Sequence, residues 1–215
     1  MAEHIQKIIY LFGSLASRIL VVSANHVDAG GCLEKYPRKL ISFIDLEHDE
    51  DHGFSETQFE KRQYDLVILD RTRCETQKKP DEDRFLANIY RSLSEGGHII
   101  SITDNRLNLR KPGACIKSII EFIFSGASSP FVKGYCRQLE NAGISCVKPF
   151  LLIPDITNFN HVISDNREAT LSFMRKSRGF TRGLPTQIGQ WPTWILVWAG
   201  VDKWLVSNHL YWGQR

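Results

Sequence analysis

Three short runs of this chain are apolar almost from end to end: Arg18–Val22 (RILVV), Tyr64–Asp70 (YDLVILD) and His98–Thr103 (HIISIT). A strand with one face in water alternates apolar and polar residues. A run without alternation needs cover on both faces. Between the runs stand segments with apolar residues three and four apart, the spacing of an amphipathic helix. Strands alternating with helices in this way predict an α/β fold, three layers deep, with a mostly parallel central sheet and helices on both faces.

The elements follow in order. Ala2–Leu15 reads as a helix with Ile5, Ile8, Ile9 and Phe12 on one face. Asp28–Tyr36 reads as a short helix stopped by Pro37. KLISFIDLE forms a second strand that ends in acids. DEDRFLANIYRSLSEGG reads as a helix with acids in its first turn and Gly96-Gly97 at its end. CIKSIIEFIF and PFVKGYCRQLENAGI read as helices, and SCVKPFLLIP and KWLVSNHLYW as later strands. The 215 residues suit one domain: an N-terminal helix over 1–17, a core over 18–155, and a loop with a tryptophan-rich helix and strand over 156–215.

Charge and cysteine content exclude several classes. Lys and Arg number 27 against 24 Asp and Glu, a net +3, too weak a field to argue for nucleic acid. The five cysteines are odd in number and form no CxxC pair, so no zinc site is expected and reduced thiols in a cytoplasmic protein are. The apolar stretch near the start is broken by Lys7, Ser14, Ser17 and Arg18 and lacks a cleavage pattern; it reads as a helix rather than a signal peptide. No run approaches the ~20 apolar residues that span a bilayer.

In parallel sheets, ligands bind beyond the carboxyl ends of the strands. The residues that matter are therefore Ser23–His26, Asp45–Glu47, Asp70–Arg73 and Thr103–Asn108. Here the chain resembles the class I S-adenosylmethionine-dependent methyltransferases. YDLVILDRT followed by DEDRFLANIYRSLSEGGHIISITDNRLNLR is similar to that family's fourth strand, a helix ending in an LxPGG turn, a fifth strand and a substrate-side loop; Glu95 stands where the family has proline. YCRQLENAGISCVKPFLLIPD is similar to its later helix–strand step. The resemblance runs from about Arg18 to Asp155 and implies a Rossmann-like fold, S-adenosylmethionine as cofactor, and a small molecule or sugar-containing precursor as methyl acceptor.

The chain departs from the family in its first loop. The family's GxGxG glycines fall on Ser23, Asn25 and Val27, and Gly30-Gly31 come late. The acid about 20 residues on, which in such folds accepts the ribose hydroxyls, is matched by Asp45, with Glu47 beside it. The resemblance thus implies cofactor contacts at Ser23, Asn25, Asp45 and Asp70. Methyl transfer needs chiefly positioning, helped by a base where the acceptor is a hydroxyl or amine. His26, Asp70 and Asp104 are the candidate catalytic residues, and Asn105 and Arg106 the candidate acceptor contacts. Each also has an ordinary reading: Asp70 as a loop cap, His26 as a loop histidine, Arg106 as half of a surface pair.

All five tryptophans, Trp191, Trp194, Trp198, Trp204 and Trp212, lie in the last 25 residues. They read as core, as an oligomer or partner-protein surface, or as a peripheral membrane contact. Three functions stay open: an active methyltransferase with an unusual cofactor loop, an inactive methyltransferase-like partner or scaffold subunit, and a cleft turned to another reaction.

Overall fold

The computed structural model describes residues 3–23, 40–45, 63–72, 82–104, 130–153, 159–176 and 208–215. Helix α1 (Glu3–Phe12) runs into a short 3-10 turn (Gly13–Leu15). Strands β1 (Arg18–Ser23), β2 (Leu40–Asp45) and β3 (Tyr64–Asp70) follow. Then come α2 (Glu82–Ser92), β4 (Leu93–Asp104), α3 (Pro130–Asn141), β5 (Ser145–Ile153), β6 (His161–Ser164), α4 (Arg167–Lys176) and β7 (Asn208–Gln214). The seven strands form one sheet in the order β2-β1-β3-β4-β7-β5-β6. The α/β fold with a mostly parallel sheet is as expected.

The chain divides into two compact units. The first comprises Met1–Asp104, Tyr135–Lys148 and Leu210–Arg215. Its heart is a parallel block: β1 pairs with β2 and with β3, and β3 with β4. Ile19–Val22 and Val67–Leu69 are fully buried, which is why these runs show no alternation. In-register neighbours share a face, so Ile19, Val21 and Ser23 line up with Leu66, Ile68 and Asp70 and with His98, Ile100 and Ile102. Helix α1 buries Ile5, Ile8 and Ile9 and leaves Tyr10 and Leu11 exposed, as its 3.6-residue pattern requires. Full burial of each isoleucine is worth roughly 1.5–3 kcal/mol, so this stripe, rather than helix propensity, holds α1.

Two glycine sites shape the block. The expected helix over DEDRFLANIYRSLSEGG ends at Ser92, and Glu95-Gly96-Gly97 lies inside β4. Leu93 already pairs with Tyr64, and the next pair is Leu66 with His98, so five residues of β4 advance against two of β3. This bulge needs its glycines: Gly96 has φ +72°, and a Cβ on Gly97 would lie 2.9 Å from the Ser94 carbonyl oxygen. At the other site, Arg215 N–H donates to Gly97 O while Gly213 lies against Ile99. As β7 advances its β4 neighbour recedes, so β7 runs antiparallel to β4. A Cβ on Gly213 would lie 2.3 Å from Ile144 Cγ2, a space only glycine fits.

The second unit comprises Asn105–Gly134 and Pro149–His209. Within it β5 and β6 pair antiparallel, from Phe150 with Ser164 to Ile153 with His161. Asn166 caps α4: its Oδ1 accepts the Ala169 N–H at 2.8 Å. Neither β6 nor α4 is expected from the sequence, which reads as loop after residue 156. The expected helices over 28–36 and 115–124 lie outside the described residues.

Candidate functional site

The register brings three strand ends level. Ser23, the last residue of β1, pairs with Asp45 at the end of β2 and with Asp70 at the end of β3. Ser23 and Asp70 are both fully buried, and Ser23 Oγ donates to Asp70 Oδ2 at 3.2 Å. Two sequence-predicted cofactor residues therefore touch, and the backbone of a third, Asp45, stands level with them. Asp104 ends β4, two residues beyond the Ile102 that pairs with Asp70. Asn25, His26, Asn105 and Arg106 lie outside the described residues, as do the Gly30-Gly31 pair and the first four tryptophans.

Asp70 is the best-connected side chain at this edge. His4 Nε2, from the first turn of α1, lies 2.9 Å from Oδ2. Thr72 donates to Oδ1 twice, from its backbone N–H at 3.0 Å and its hydroxyl at 2.7 Å. An ionised carboxylate has about four lone-pair positions, and these donors with Ser23 Oγ fill them. Burial alone would push this carboxyl up. The hydrogen bond and charge of His4 and the two Thr72 bonds outweigh burial and hold it below the usual carboxylate value. Asp70 thus stays ionised, and it ties α1, β1 and the Thr72 turn together.

At the sequence level His4 was missed, and Thr72 fell within the Asp70–Arg73 strand tip without being given a role, although each leaves a signal. His4 is one turn before Ile8 on the buried stripe of α1, an odd place for a polar ring. Thr72 follows Asp70 by two, the spacing of a side-chain-capped turn. Asp70 is also a turn cap, as its ordinary reading supposes.

On the opposite face, Ser101 Oγ and Tyr135 Oη lie 2.7 Å apart, and Tyr135 meets Tyr211 edge-on at 4.7 Å. The Arg71 guanidinium lies 5.7 Å from the Tyr135 ring centre. At the other end of β4, His98 stacks on Trp212 at 5.2 Å, a packing role for the one tryptophan described. Among the described residues there is no cluster of three metal-ligating side chains and no helix long and apolar enough to cross a membrane. Cys136 and Cys146 form no disulfide.

No family model and no curated protein matches the chain. Solved structures do. An S-adenosylmethionine-dependent methyltransferase from Archaeoglobus fulgidus is 12% identical with a TM-score of 0.52, over all of this chain and 95% of that one. A Nostoc punctiforme structure assigned as an O-methyltransferase is 17% identical with a TM-score of 0.50, over all of this chain and 56% of that one. Phosphoethanolamine N-methyltransferase 2 of Haemonchus contortus, in complex with S-adenosyl-L-methionine, is 13% identical with a TM-score of 0.49. This chain spans 52% of the length of that enzyme.

Proposed function

We propose that this chain, which shares its fold with S-adenosylmethionine-dependent methyltransferases, binds S-adenosylmethionine at the level strand ends and methylates a small molecule or a sugar-containing precursor. One observation carries the reading: Ser23, Asp45 and Asp70 end three adjacent parallel strands in a single row, with an acid closing β2. An acid there is chemically suited to the two ribose hydroxyls, which donate hydrogen bonds to a carboxylate. In this reading Asp45 accepts from the ribose, Ser23 and Asn25 are proposed cofactor contacts, and Asn105 and Arg106 are proposed acceptor contacts. His26 and Asp104 remain proposed catalytic residues. The cofactor, when bound, supplies a methyl group on a sulfonium.

The donor set at Asp70 qualifies its part. With its acceptor positions filled by the chain's own donors, Asp70 takes a ligand only where one donor yields. The same observation, with a first loop that lacks GxGxG, favours a second reading: a methyltransferase-like partner subunit that does no chemistry. Calorimetric titration with S-adenosylmethionine and S-adenosylhomocysteine separates the two. Micromolar binding that Asp45→Ala weakens by at least roughly tenfold without unfolding supports the enzyme; no heat and no thermal stabilisation at millimolar ligand supports the subunit.

A further inference from the structure

His4 is 7% exposed, and among the described residues its ring is hydrogen-bonded on one side only. Nε2 faces Asp70 Oδ2 at 2.9 Å. Nδ1 makes no hydrogen bond to any described residue, and 9% of the His4 side chain is exposed. An ionised carboxylate only accepts hydrogen bonds, so the ring atom facing it must carry a proton. In the neutral ring the lone pair is then on Nδ1. A buried carboxylate fixing the tautomer of an imidazole and balancing its charge is the arrangement that makes histidine a proton acceptor. It stands at the carboxyl end of β3, where ligands of such sheets bind.

We propose that Nδ1 of His4 is the atom that takes the proton from a hydroxyl or amine acceptor at the strand ends. Asp70 is its positioning residue. This rests on the methyltransferase reading and adds to it the acceptor's chemical class, a group that must lose a proton. The balance is simple. The acceptor's O–H or N–H bond breaks, its proton passes to Nδ1, and the imidazolium is paired through Nε2 with the Asp70 carboxylate. The proton later leaves to water. Among the described residues Asp70 is the only titratable side chain bonded to His4. On its own helix, Glu3 and Lys7 pair with each other at 3.3 Å. Ser23 and Thr72, which hold the carboxylate from β1 and the turn, carry no charge.

The test is imidazole ¹⁵N NMR of the full chain with and without S-adenosylhomocysteine, at about pH 8.5, where an ordinary imidazole is neutral. His4→Gln identifies the signal. Its amide nitrogen replaces Nε2 against Asp70 without supplying Nδ1, so the melting temperature should hold, whereas His4→Ala lowers it. The expected result is a ring protonated at Nε2, with an Nδ1 resonance that moves when S-adenosylhomocysteine binds. Asp70→Asn should give a mixture of tautomers. A neutral ring protonated at Nδ1 overturns the proposal. So does an Nδ1 resonance unmoved by ligand that calorimetry shows to be bound, and in that case the methyltransferase reading stands. If calorimetry shows no binding, the methyltransferase reading fails and this role fails with it.

Discussion

Strand β3 carries an acid near each end, and the two are used differently. Asp65, at the amino end, accepts the backbone N–H groups of Ser17 and Arg18 at 3.0 and 3.1 Å and the Ser94 hydroxyl at 3.2 Å. It pins the start of β1 and the β4 bulge and remains partly exposed. Asp70, at the carboxyl end, is fully buried and draws on side chains of α1, β1 and the Thr72 turn. Backbone donors cannot change their protonation, so Asp65 is a staple. A histidine can, which is why the proposed chemistry falls to Asp70. In that proposal one strand separates architecture from chemistry by about five residues, in the direction that parallel sheets favour.

The largest effect should come from removing the buried acid. Asp70→Ala removes the buried acceptor that His4, Ser23 and Thr72 share, and the stability lost on breaking such a buried pair is about 3–5 kcal/mol. Chemical denaturation would read it; a loss no larger than that of Asp65→Ala would erase the contrast. Next is Asp45→Ala. Loss of hydrogen bonds to a charged group costs about 1.5–3 kcal/mol, so S-adenosylmethionine binding should weaken by roughly tenfold to a hundredfold. The melting temperature without ligand should not move. Asp65→Ala should cost about 1 kcal/mol, the scale of a lost helix cap, because water reaches the amides it leaves behind.

Acid gives the finest comparison. Both carboxyls are held below their ordinary value of 3.8. For each, burial acts upward and is outweighed, by His4 and Thr72 at Asp70 and by the Ser17 and Arg18 amides, Ser94 and Arg18 at Asp65. A carboxyl whose value is depressed on folding stabilises the fold above its unfolded value. That stability is lost as pH falls through the folded value. Unfolding measured from pH 5 downward should therefore show a loss that begins near 3.8 and is smaller in Asp70→Asn. High salt should blunt the share of Asp65 and spare that of buried Asp70.

How much of this could be read in the sequence depended on distance along the chain. β3 was legible to the residue, because an apolar run that ends in an acid is a local signal. The start of α1 and the body of α2 were legible for the same reason. Gly96-Gly97 misled: two glycines after a helix read as its end, yet Leu93 pairs with Tyr64 before they arrive, and only the β3 register reveals the bulge. β6 is four residues long, too short for periodicity to mark, and α4 left only its Asn166 cap. The partners of Asp70 lie 66 residues away at His4 and 47 away at Ser23. No spacing rule reaches that far. Only Thr72, two residues on, is a partner that local spacing could mark; the contacts from α1 and β1 are not.

The central claim is that the level ends of β1, β2 and β3 are a binding site for S-adenosylmethionine. Calorimetric titration of the full chain with that compound tests it most directly. The account predicts micromolar binding that Asp45→Ala weakens by roughly tenfold to a hundredfold while the protein stays folded. No heat and no thermal stabilisation at millimolar ligand would contradict it, and would leave Asp70 with the same task as Asp65: holding the fold.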